Sequence, residues 1–145
     1  MPLTRRRIIY DRDDKTPYMI RWHLIFREKN SNQERNPKIP FNVYYHKILR
    51  SDEPVLHDHP WYWGTFIISG GYWEHTPEGT TWCGPGSWRT KTPDDQHWLE
   101  LKDGAPCHTL FWHGKRRKTW GFQTADGWVP YRTFLENRAK SIAYE

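Results

Sequence analysis

His57 and His59 stand one residue apart, and His97 arrives later in the chain behind a Pro85-Gly86 turn. In an extended segment residues i and i+2 share a face, so two imidazoles at this spacing can close on one ion, and a third from another strand can complete the set. The chemistry this predicts is that of a divalent metal site. Three neutral imidazoles leave the ion its full charge and open positions for a substrate together with O2 or water.

Asp58 lies between the pair and faces the opposite way, so it does not join them as a ligand. The His-x-Asp arrangement of 2-oxoglutarate oxygenases is therefore not present. Asp58 reads instead as an outer partner that orients an imidazole through its second nitrogen, or as a surface charge. A single histidine in a β protein is more often a satisfied side chain than a ligand, and this chain has eight: His23, His46, His57, His59, His75, His97, His108 and His113. Only the joint spacing of His57, His59 and His97 lifts three of them above that background. His108 and His113 fall on opposite faces of one predicted strand, so at most one looks inward.

The elements that must position these residues are short strands. Tyr18, Ile20, Trp22, Leu24 and Phe26 alternate with Met19, Arg21, His23 and Ile25, which predicts a strand with one fully apolar face. Residues 29–40 lose all periodicity and read as a mobile surface loop. A strand over 41–49 follows, then runs at 65–69 and 72–76 around Gly70-Gly71, the signature of a two-residue hairpin. Further runs at 97–101, 107–112 and 119–123 lie between Gly, Pro and Asp breaks. Many short strands at this spacing predict an all-β sandwich or barrel, and residues 131–143, which carry Phe134, Leu135, Ala139 and Ile142, predict one short C-terminal helix.

Bulk properties fit a single domain over 1–145. The chain is 36% hydrophobic with 10 Trp and 8 Tyr, so large rings supply most of the core area. Cys83 and Cys107 are too few for a disulfide framework and favour a reducing cytoplasm. No segment has the length and apolarity of a membrane span. The net charge is +5, with basic clusters at Arg5-Arg6-Arg7 and Lys115-Arg116-Arg117-Lys118. These could meet phosphates, but a solvated loop and tail is the plainer explanation, and no helix-turn-helix, zinc finger or phosphate loop is present.

The order His-x-His, glycine turn, Pro-Gly turn, then His is similar to the two motifs of the cupin superfamily. The match runs from about Val55 to Leu101; a wider likeness, from Pro17-Tyr18 through Gly127-Trp128, is to small uncharacterised bacterial and phage cupins. The resemblance implies a double-stranded β-helix of the jelly-roll kind. It also implies one divalent ion, with Fe(II) favoured and Mn, Ni or Zn compatible, on His57, His59 and His97. Cupins usually add a glutamate about five residues after the second histidine, but Gly64 stands there, beside Trp63.

Strand parity bears on a substitute. If Gly70-Gly71 is the whole hairpin loop, the face of Gly64 also carries Phe66, Ile68, Trp73 and His75, which makes His75 the inward candidate; a one-residue bulge would present Glu74 instead. Trp63, Trp73 and Arg89 are the candidate contacts for a small, anionic substrate. The expected activity is oxygenase-like, with isomerisation next. A non-catalytic binding protein, or an accessory protein touching nucleic acid through its basic loops, is the alternative, and the resemblance adds an expectation of homodimers.

Overall fold

The computed structural model describes residues 6–10, 15–25 and 40–136. Among them the chain forms eleven strands: β1 (Arg6–Tyr10), β2 (Pro17–His23), β3 (Asn42–Ile48), β4 (Trp63–Ser69), β5 (Tyr72–Thr76), β6 (Gly79–Cys83), β7 (Trp88–Lys91), β8 (Trp98–Leu101), β9 (Cys107–His113), β10 (Gly121–Thr124) and β11 (Gly127–Pro130). All pair antiparallel, in a six-stranded sheet ordered β1-β2-β3-β9-β4-β7, a three-stranded sheet ordered β6-β5-β8, and the β10-β11 hairpin. The all-β jelly-roll expectation holds. Residues 131–136 are helical, as the C-terminal pattern predicts, while 137–143 and, except for residue 40, the loop expected at 29–40 lie outside the described residues.

The inner faces alternate cleanly where strands are long. On β3, Asn42, Tyr44, His46 and Ile48 are buried, and on β9 their partners His113, Phe111, Thr109 and Cys107 share that side. One end of the interior is closed by Ile48, Ile67, Tyr72, Cys83, Leu101 and Cys107. Toward the other end the aliphatic packing gives way to Tyr44, Trp61, Trp63 and Phe111. Both thiols are buried, and burial pushes that of Cys107 up to about 11, so they serve as small core side chains.

One local expectation is corrected, and the structure orients a second element. Gly70-Gly71 does not close a hairpin: β4 pairs with β9 and β7, β5 pairs with β6 and β8, and the glycines turn a corner between the two sheets. Their φ angles of 79° and 144° suit glycine, and a Cβ on Gly70 would come within 2.5 Å of the Pro106 carbonyl oxygen. The apolar face of β2 is also not its inner face. Arg21 and His23 stand opposite His46 and Tyr44 and so look inward, leaving Ile20 and Trp22 on the outer side, where Trp22 packs edge-on against Tyr45.

Candidate metal centre

The first motif is not part of a continuous ladder. His57 is held by isolated bridges to His97 and Phe122, and the His57 and His97 amides each donate to the other's carbonyl at 2.9 Å. Such a reciprocally bonded antiparallel pair puts its two side chains on one side, and the alternation of an extended segment brings His59 to that side as well. The ring centroids of His57, His59 and His97 are 4.9–5.2 Å apart, and one nitrogen from each lies within 4.8 Å of the others. Among the described residues this is the group of His, Cys, Asp and Glu side chains able to share an ion.

The chemistry of the donor set suits a divalent cation. His97 Nδ1 donates to Glu74 Oε2 at 2.7 Å, which fixes the proton on Nδ1 and leaves Nε2 as the free donor atom. Burial holds the His57 imidazole down to about 4, outweighing the carboxylates of Asp52 and Asp58, so it is neutral and able to ligate near pH 7. Glu74 itself is 1% exposed. Burial alone would push its carboxyl up, but the bond from His97 and the charges of Lys91 and Arg89 hold it below the ordinary range.

Lys91 Nζ and Arg89 Nη1 stand 3.5 and 3.7 Å from Glu74 Oε1. They reach it because Lys91 and Arg89 pair with Trp63 and Thr65 and so share the inner face of β4. Arg89 is thus turned to Glu74, where sequence reasoning had offered it to a substrate.

Other expected residues land elsewhere. His75 lies on the outer face of β5, stacked on Trp98 at 3.8 Å and hydrogen-bonded to Glu100 and Thr80, so it is not with the three histidines. Trp73 shares that outer face, 40% exposed and packed on Trp82. Both differ from the parity expectation because β4 and β5 belong to different sheets, which cancels the pairing from which parity was carried across the glycines. Glu74 faces inward, as a partner of His97 and outside the converging group of donor atoms.

Trp63, and not Gly64, is the inward residue of the first motif. Its ring lies 4.7 Å from His59 and 5.2 Å from His97, while Gly64 backs onto Trp112, whose ring a Cβ would meet at 2.3 Å. The Trp63 Nε1–H is buried with no acceptor among the described residues.

Asp58 is 2% exposed and touches no imidazole through hydrogen bonds. It accepts from Lys118 Nζ at 2.8 Å, the Gly121 amide at 2.7 Å and Trp128 Nε1 at 2.9 Å, tying β10 and β11 to the back of the motif. Lys118, one of the basic cluster, is therefore a structural cation, and Arg117 lies over the Tyr62 ring at 5.1 Å.

No family model matches the sequence, and no curated protein matches it. Solved structures with the cupin fold do. A cupin 2 conserved barrel domain protein from Rhodopseudomonas palustris superposes with TM-score 0.57 at 16% identity, over 75% of this chain and 69% of that one. The polyketide cyclase RemF from Streptomyces resistomycificus gives 0.53 at 14%, over 71% and 69%. A sugar phosphate isomerase of the cupin superfamily from Silicibacter pomeroyi gives 0.50 at 13%, over 77% and 74%. The fold is that of the cupins, and at these identities the likeness concerns the fold. No helix among the described residues is long and apolar enough to cross a membrane.

Proposed function

We infer that this chain is a metal-dependent enzyme of cupin fold, holding one divalent ion on His57, His59 and His97 and transforming a small molecule beside it. The observation that carries this is the approach of three imidazole nitrogens to within 4.8 Å from separate segments, with the far nitrogen of His97 committed to a buried carboxylate. A bound ion would supply a Lewis acid with positions open to substrate and to O2 or water; Fe(II) is favoured, and Mn, Ni or Zn also suit imidazole donors.

The chain's own residues prepare that site. Glu74 fixes the His97 tautomer, and Arg89 and Lys91 keep Glu74 ionised. Trp61 and Trp63, both nearly fully buried against His59, exclude water from one side of it. The acceptor that the Trp63 Nε1–H lacks is one that a polar ligand would provide, since buried donors are normally paired. Trp63 is accordingly the substrate contact of this reading.

Oxygenase-type oxidation is the first activity to seek. Isomerisation is the second, consistent with a cyclase and an isomerase among the fold neighbours. A cytoplasmic setting, in keeping with free Cys83 and Cys107, and pairing into homodimers complete the reading.

Elemental analysis after loading with Fe(II), Mn, Ni or Zn tests it. One ion per wild-type chain and none in His57→Ala or His97→Ala is the expected result. Full metal content in both variants overturns the reading.

A further inference from the structure

The back of the first motif opens on a cleft of about 500 Å³ that the three histidines do not line. His57 is bridged by His97 on one side and by Phe122 on the other, so their chain neighbours Asp58, Gln96 and Gln123 point from the opposite face of these segments. Trp128 stands opposite Gln123 across the β10-β11 hairpin and joins that face. The volume falls inside the roughly 300–1,000 Å³ of small-molecule sites.

One wall is an aromatic ring held in place. The Trp128 ring lies against Gly121, where a Cβ would meet it at 2.8 Å, and its Nε1–H is fixed on Asp58 at 2.9 Å. The residue nevertheless stays 42% exposed. An apolar surface is thus presented to the cleft by a side chain that does not have to be ordered on binding.

The polar groups around it are of both kinds. Gln96 Nε2 donates to Gln123 Oε1 at 3.2 Å, which aligns the two amides and leaves the Gln96 oxygen to accept and the Gln123 nitrogen to donate. Thr119 adds a hydroxyl to the lining. Charges are matched within the cleft, since Lys118 Nζ bonds Asp58 Oδ2 at 2.8 Å and Asp94 Oδ1 at 3.2 Å. An anion would meet the Asp94 carboxylate along with Lys118, and a cation would meet Lys118, so neither sign is favoured.

A rigid ring surface rimmed by amide, hydroxyl and carboxylate groups suits a neutral molecule with one apolar face and hydroxyls around its edge. A pyranose has that form: its C–H face can lie on the indole, while its hydroxyls, each both donor and acceptor, meet the amides. We propose that this cleft binds a sugar, free or as a unit of a longer chain, on the Trp128 ring, with Gln96, Gln123 and Asp94 holding its hydroxyls. The site lies across the backbone from the three histidines and does not rest on the metal reading.

Heteronuclear NMR of the whole chain, titrated with glucose, galactose, N-acetylglucosamine and maltotriose and, for comparison, inorganic phosphate, tests it. At least one sugar should shift the Trp128 indole and Gln123 side-chain amide resonances to saturation. Tighter binding of maltotriose than of any monosaccharide marks a sugar chain, and a monosaccharide that binds as tightly marks a free sugar. Trp128→Ala should abolish saturation. If that variant does not fold, Gln96→Ala/Gln123→Ala should weaken binding by about tenfold, the worth of one or two hydrogen bonds. Wild-type affinity in either folded variant overturns the proposal, as does a wild-type chain that saturates with no sugar, or with phosphate at these resonances. Sugar shifts that disappear in His57→Ala place the sugar at the histidines and overturn it too. The metal reading stands or falls on metal content, so the two failures are told apart.

Discussion

Two sets of histidines share the interior of this barrel, and they are built for different work. His57, His59 and His97 converge, and the back of His97 rests on a carboxylate; His23, His46 and His113 surround a tyrosine, and the back of His46 rests on a guanidinium. In the first set the neighbouring charge is negative and raises the basicity of the donor atom facing the site. In the second the neighbouring charge is positive, His46 spends its lone pair on Arg21, and what remains to offer is an N–H. The same side chain becomes a candidate ligand or a candidate donor according to what stands behind it.

The largest effects should come from the converging set. His57→Ala and His97→Ala should each abolish retention of a stoichiometric ion while circular dichroism still reports a folded barrel, because the 57–97 bridge is made by backbone groups. Next, Glu74→Gln should lower metal affinity by about 10–100-fold, the usual consequence of altering a partner of a ligating histidine. Wild-type affinity in that variant would show that the Glu74 contact does not set the basicity of His97, and would erase the contrast drawn between the two sets.

A pH titration sharpens the other side. Burial first, then Arg21, holds the His46 imidazole well below its ordinary 6.5, so the neutral form is the one the fold favours. The stability this contributes is present above pH 6.5 and is lost as the pH falls below it toward the depressed value. NMR should show His46 still unprotonated where an exposed histidine is half titrated, and Arg21→Gln should move its midpoint up. The smallest effect belongs to His75→Ala. With His75 on the outer face, metal content should be unchanged, and calorimetry should register a stability change of no more than about 1 kcal/mol.

Much of the site is legible in the chain because close spacing constrains geometry. His57 and His59 cannot avoid sharing a side in an extended segment, and the Pro-Gly turn before His97 marks a return of the chain. Glu74 was visible only as an alternative, since assigning it required knowing whether Gly70-Gly71 joins two paired strands or turns between sheets. A glycine pair with positive φ serves either purpose. The inward turn of Arg21 was hidden for a related reason: β2 carries its apolar residues on the outer side, and a hydrophobic pattern alone does not say which face looks in.

The sequence by itself determined an all-β chain of short strands, a histidine pair on one side of the backbone and a later histidine able to meet it, because these follow from side-chain periodicity and turn chemistry within a few residues. Only the tertiary structure decided that Glu74 backs His97, that Asp58 braces Lys118 and Trp128, and that Arg21 looks inward at His46. Those pairings join residues 23 to 70 positions apart. They depend on which sheet each strand enters and on its register there, and local pattern carries no record of either.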